Sequence, residues 1–181
     1  MDVILVNEKD EPIGTMEKIE VHQKGLLHRA FSVFIFNEKG EMLLQKRAAC
    51  KYHSPGLWTN ACCSHPQSGY EIISAATRRL QEEMGFTTSL EKAFHFIYKA
   101  SFDNGLTEYE FDHVLIGNYD GPITPNSEEV QDYHYLSLTE IKNLLQSNPS
   151  DYTPWFKIAI PKIEEHLAGQ IANRHGVTSF H

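Results

Sequence analysis

Cysteine is scarce. The 181-residue chain has three, Cys50, Cys62 and Cys63, an odd number with two adjacent and no Cys-x-x-Cys pair. That count argues against a disulfide framework and a zinc ribbon, and suits a reducing compartment. Positive charge is also short: 16 Lys and Arg stand against 24 Asp and Glu, a net charge of −8. Such a chain has no electrostatic footprint for nucleic acid or an anionic membrane, so an anionic ligand must be met locally, by a few clustered cations or by a metal. Long apolar runs are missing too. The most apolar stretch, residues 30–36, is far below the ~18 residues of a membrane span, and Met1-Asp2-Val3 starts neither a basic nor an apolar leader. The expectation is a soluble cytoplasmic protein with no nucleic-acid partner and no membrane span.

What is present is an ordinary globular mixture, 41% hydrophobic, 11% aromatic and 22% charged. At this length a single domain over residues 1–181 is expected, as a monomer or a weak homodimer. The exception is histidine, with ten residues, a surplus that calls for a role.

Two echoing turns, Asn7-Glu8-Lys9-Asp10-Glu11 and Asn37-Glu38-Lys39-Gly40-Glu41, read as hairpin loops. The second joins strand-like residues 31–36 and 42–46, and the unbroken apolarity of the first run predicts a strand covered on both faces. Residues 69–84 read as a helix, with Ser68-Gly69-Tyr70-Glu71 as a capping box, an apolar stripe of Ile73, Ala76, Leu80 and Met84, and Gly85 as the stop. Strands are expected over 92–102 and 108–119, turning at Asp103-Asn104-Gly105, and over 133–136. Helices follow over 138–146 and from Pro154 onward, where Thr153 caps and Pro161 should kink or end the helix. Strands mixed with helices imply an α/β or α+β sandwich, a mixed sheet flanked by helices.

Four groups of residues carry possible chemistry. In Cys62-Cys63-Ser64-His65, extended backbone would point Cys63 and His65 one way and Cys62 and Ser64 the other, although a single Cys is more often a small core residue than a nucleophile or base. In Glu108-Tyr109-Glu110-Phe111-Asp112-His113, alternation sets the three acids on one face, either as the wet face of a sheet or as carboxylates sharing a cation with nearby histidines. Arg79 and Glu83, four apart on the helix, form either a solvated ion pair or part of a metal site. Lys18, Arg47 and Lys51 are either surface cations or, if they converge, a grip for a diphosphate.

Together, Leu27-His28-Arg29-Ala30-Phe31-Ser32, Pro55-Gly56-Leu57-Trp58-Thr59-Asn60, Cys63-Ser64-His65-Pro66, Ala75 to Leu80 through Glu83-Met84-Gly85, and Glu108-Tyr109-Glu110 resemble the type 1 isopentenyl-diphosphate isomerases, a branch of the Nudix superfamily. The match spans nearly the whole chain. The resemblance implies a Nudix-like sandwich and an isomerase of isoprenoid biosynthesis. It would interconvert isopentenyl and dimethylallyl diphosphate by a metal-dependent 1,3-proton shift through a carbocation-like state, without flavin or nicotinamide. It implies Cys63 as the catalytic thiol, Glu110 as the catalytic carboxylate and Tyr98 as an active-site phenol. By the same resemblance, His22, His28, His65, Glu108 and Glu110 would hold one divalent metal (Mn2+, Zn2+ or Mg2+), and Glu83 would help hold a Mg2+ carried by the substrate diphosphate. Lys18, Arg47 and Lys51 would contact the diphosphate, with Trp155 supplying an indole to the site. His53 and His113 are the alternative imidazoles should His22 not ligate, and alternation turns His113 to the other face.

The chain also departs from the wider Nudix hydrolase pattern. Ser64 stands where that pattern begins with Gly, and Arg79 replaces the first Glu of its closing cluster, removing a carboxylate from the hydrolytic metal site. That counts against the main alternative, a pyrophosphohydrolase of nucleoside diphosphate derivatives. The other, a non-catalytic domain stabilised by metal, leaves Cys63 and Tyr98 without a purpose.

Overall fold

A computed structural model describes residues 1–176; the remaining residues 177–181, part of the expected domain, lie outside the described ones. In chain order the elements are β1 (Asp2–Val6), β2 (Pro12–Glu17), α1 (Lys18–Lys24), β3 (His28–Phe36), β4 (Met42–Arg47), β5 (Trp58–Asn60), β6 (Cys62–Ser64), α2 (Ile72–Met84), β7 (Leu90–Ser101), β8 (Thr107–Asn118), β9 (Val130–Leu136), α3 (Leu138–Ser147) and α4 (Pro154–Gly176).

β3 organises the molecule. Because side chains alternate along a strand, Phe31, Val33 and Ile35 enter one core against α2, while Phe34 and Phe36 enter a second against α3 and α4. This is the doubly covered strand that its apolarity predicts. β8 runs parallel along one edge of β3, from His28↔Glu110 to Phe36↔Asn118, and β7 pairs antiparallel with β8, placing Tyr98 opposite Glu110. β6 pairs antiparallel with β3, so that Ser32 lies opposite Cys63. β4 touches β3 at Phe36↔Met42 and continues the sheet to β5 and β9. The architecture is a mixed sheet with helices on both faces, as expected.

One element was not expected, and three local expectations need correction. Residues 18–24 form α1, too short to leave a periodic signal; the Glu17 carboxylate caps it, accepting from the N–H of Ile19 at 2.8 Å and of Glu20 at 3.2 Å. At α2 the Ser68–Glu71 capping box does not form, and Glu71 serves as N-cap without a side-chain bond. The buried stripe of α2 runs through Ile72, Ala75, Ala76, Leu80 and Met84, which leaves Ile73 exposed. Of the kink or end expected at Pro161, the end does not occur: α4 continues to Gly176, with Ile160 and Ile163 on either side anchored in the second core. Gly85 ends α2 as expected, with φ 76° and its N–H bonded to the carbonyl of Gln81.

Candidate active site

Register delivers the site. His28, Glu110 and Tyr98 lie side by side on three neighbouring strands, and Ser32 and Cys63 form a second row on the same face of β3. α1 adds Lys18 and His22, one helical turn apart, and the start of α4 adds Trp155. The result is a pocket with about 500 Å³ of empty space. Its walls include Lys18, Arg47, Lys51, Cys63, His65, Glu83, Tyr98, Glu108, Glu110 and Trp155, so of the residues that the family resemblance assigns to the site all reach it except His22 and His28. Those two are fully buried, with His65 and Glu110 as neighbours.

The histidines have the chemistry of ligands. Nδ1 of His22 donates to the Lys18 carbonyl at 2.6 Å and Nδ1 of His28 to the Leu26 carbonyl at 2.9 Å, so each ring turns Nε2 toward the cluster. Nε2 of His22 is buried without a partner. Nε2 of His28 stands 3.2 Å from Nε2 of His65, with Oε1 of Glu110 at 2.9 Å from His65 and 3.5 Å from His28. Donors around an ion bound at about 2.1 Å stand roughly 3 Å apart, so these spacings fit a divalent metal. Glu108 belongs to a second group with His22 and His53, its Oε1 lying 3.2 Å from Nε2 of His53. His113 faces away and bonds Asp10 at 2.8 Å, as alternation predicts.

Burial sorts the ionisable groups. It holds His65 neutral down to about 3. Burial, followed by the charge of Glu110, pushes Glu108 well above the usual carboxylate range. Burial acts the same way on Glu110, but hydrogen bonds from His28 and His65 outweigh it and hold that carboxyl well below the usual range. The Tyr98 hydroxyl sits 2.7 Å from Oε2 of Glu110 and 2.9 Å from Oε2 of Glu108. A phenol has one hydrogen to give, so a proton kept on Glu108 lets all three groups coexist in one dry corner.

The thiol is enclosed. Cys63 Sγ lies 3.2 Å from Oδ1 of Asn60, 3.1 Å from Nε1 of Trp155 and 3.4 Å from Oγ of Ser32, which in turn donates to Asp112 at 2.7 Å. Burial, then the nearby Asp112, drives the Cys63 thiol far above its ordinary value, so it rests as S–H. Cys62 turns away into the first core, while Ser64, expected to point away with it, also touches the pocket. Cys50 is exposed and donates to the Glu128 carbonyl at 3.3 Å.

Cations also line the pocket. Arg47 is buried, donates to the His53 carbonyl at 3.2 Å and lies 5.4 Å over the Trp155 ring. Lys51 pairs with Glu129, and Lys18 sits 4.9 Å over Tyr52. Burial lowers Lys18 to about 8. The Glu83 carboxylate accepts from Arg79 at 2.7 Å and from Gln45 at 2.9 Å. Sequence reasoning missed Ser32, Gln45 and Asn60 as parts of the site. A signal was available for Ser32, a lone polar residue inside the apolar run of β3; Gln45 and Asn60 stand beside other polar residues and left none.

A family model for the NUDIX domain matches residues 26–156. An isopentenyl-diphosphate Delta-isomerase 2 of Photorhabdus laumondii is 53% identical, covering 86% of this chain and 88% of that protein. The isopentenyl-diphosphate Delta-isomerase of Pectobacterium atrosepticum is 47% identical over 91% of this chain and 92% of its own. Among solved structures, DR0079 from Deinococcus radiodurans superposes with a TM-score of 0.73 at 18% identity, over 90% of this chain and 98% of that one, a likeness of fold alone. The mixed sheet with its flanking helices is the α+β Nudix fold, and the chain belongs to the NUDIX-domain family of isopentenyl-diphosphate Delta-isomerases.

Proposed function

We propose that this protein interconverts isopentenyl and dimethylallyl diphosphate by a 1,3-proton shift in which Cys63 and Glu110 exchange the proton with the two ends of the allylic system. The carrying observation is that one buried pocket joins the S–H of Cys63, the Tyr98–Glu110 pair and a group of convergent imidazoles. The relatives' shared name supports the same reading.

Protonating an unactivated alkene creates a tertiary carbocation, so the site has to combine a proton donor, a base and the exclusion of water. Cys63 and Glu110 are the two proton carriers, one the donor and the other the base, and Tyr98 passes a proton between Glu110 and Glu108. The face of Trp155 offsets cationic charge on the substrate, worth about 1–2 kcal/mol, or roughly one decade in rate. Lys18, Arg47 and Lys51 hold the diphosphate, Arg47 as a planar fork and the lysines as point charges. His22, His28, His65 and Glu110, with Glu108 beside them, would hold a divalent metal, and Glu83 would meet a Mg2+ carried by the diphosphate. Such an ion supplies positive charge that fixes Glu110 and shifts its proton affinity. The three cysteines, paired with none of one another, suit a cytoplasmic enzyme.

Proton NMR of the protein with isopentenyl diphosphate and Mg2+ in heavy water tests this directly. Dimethylallyl diphosphate carrying solvent deuterium is the expected product. A folded, metal-replete protein that leaves both alkene signals unchanged would overturn the reading.

A further inference from the structure

Asn60 is fully buried, and its amide is locked. Both hydrogens of Nδ2 go to backbone carbonyls, of Val33 at 3.0 Å and of Cys62 at 2.9 Å, so the group has no freedom to flip and Oδ1 is forced toward Cys63. Three donors compete for that oxygen: Oγ1 of Thr59 at 2.9 Å, Sγ of Cys63 at 3.2 Å and Nε1 of Trp155 at 3.2 Å. A carbonyl oxygen has two lone pairs, so one donor must look elsewhere. Thr59 has an alternative in Oγ1 of Thr153 at 2.8 Å, and Trp155 has one in Cys63 Sγ at 3.1 Å. Ser32 spends its hydrogen on Asp112 and so faces the sulfur only as an acceptor. The indole N–H is therefore the donor that this network can turn toward sulfur.

Two arrangements follow from the same atoms. In one, the indole N–H bonds Asn60 and the S–H is free to point into the pocket. In the other, the indole N–H bonds sulfur. We propose that Asn60 is a positioning residue for Cys63, and that the Trp155 N–H shuttles between Oδ1 of Asn60 and Sγ of Cys63 as the sulfur loses or regains its proton. This rests on the function proposed above. When the S–H bond breaks, its electron pair stays on sulfur, the proton bonds to substrate carbon, and the N–H swings to the sulfur that now carries charge. In the opposite direction the sulfur takes a proton from carbon and the N–H returns to Asn60. The indole thereby has two separate duties, its face toward the substrate and its edge toward the thiol.

A double-mutant cycle with Asn60→Ser and Trp155→Phe reads this out, with KM, kcat and metal content measured for each protein. Phe keeps an aromatic face but has no N–H. If the exchange operates, Asn60→Ser lowers kcat about 10- to 100-fold with KM and metal content little changed. In the Trp155→Phe background the same substitution then costs less than about 3-fold, because the donor it served is already gone. An equal fold-loss of kcat in both backgrounds would overturn the proposal, since a merely structural Asn60 acts without regard to the indole. If Asn60→Ser does not fold, placing 3-benzothienylalanine at position 155, with sulfur where the N–H was, isolates the donor. A drop in kcat at constant KM supports the proposal and an unchanged kcat refutes it. Failure of the unmodified enzyme to isomerise its substrate refutes the proposed function instead.

Discussion

At the scale of single residues, the site depends on buried and half-buried charged groups. Cys63→Ala should abolish isomerisation, by at least about three decades if it removes an essential proton carrier, while the circular-dichroism spectrum and bound metal stay as they were. Near-normal turnover in that variant would remove Cys63 from the mechanism. Lys18 gives a pH signature. Burial lowers it to about 8, so the ammonium present at neutral pH is lost as pH rises through that value, and attraction for the diphosphate goes with it. KM should climb above pH 8, and Lys18→Met should show a higher but flatter KM; a rise that persists in the variant would assign the limb to another group. Much of this was legible in the sequence. Alternation along β8 correctly set Glu108, Glu110 and Asp112 on one face and His113 on the other. Asn60 was not legible as a support for the thiol, because its role is made by Val33, Cys62 and Trp155, partners up to 95 positions away.

At the scale of elements, hairpins and long helices left clear patterns, whereas short ones did not. α1 has seven residues, under two turns, and is held by its caps rather than by periodic burial. α2 shows how an element end is tied down. After Gly85 the chain returns so that the N–H of Thr124 bonds the Met84 carbonyl at 3.2 Å and that of Asn126 bonds the Glu83 carbonyl at 2.9 Å. A Cβ on Gly85 would meet the Thr124 carbonyl oxygen at 2.2 Å, on top of the strain of φ 76°. Gly40 has the same left-handed conformation, φ 75°, with open space around it. Gly85→Ala should therefore cost about 3 kcal/mol or more and lower Tm by roughly 6–12 °C, against about 1 kcal/mol for Gly40→Ala. Equal shifts in thermal melting would show that the returning loop yields freely.

For the whole molecule, the residues proposed to hold a metal come from distant parts of the chain: α1, the start of β3, the residue after β6 and the first part of β8. A folded form that alone presents these donors is stabilised by mass action, by about 2.7 kcal/mol when free metal is 100 times its Kd. Adding Mn2+ to chelator-stripped protein should raise Tm by several degrees, and Glu110→Gln should shrink that response while removing turnover. A variant with the full thermal response and full turnover would take Glu110 out of both roles. The long-range pairing at the heart of this arrangement is the parallel alignment of β3 with β8, which no local pattern announces. It also has a consequence during synthesis. His22, His28, Cys63 and His65 leave the ribosome well before Glu110, which follows His65 by 45 positions. At about 5–20 residues per second, the nascent chain displays four imidazoles, that of His53 among them, and two adjacent thiols for roughly 2–9 s before β8 arrives to enclose them. During that interval these side chains lack the strand that buries them, so the geometry of the site is a late product of synthesis.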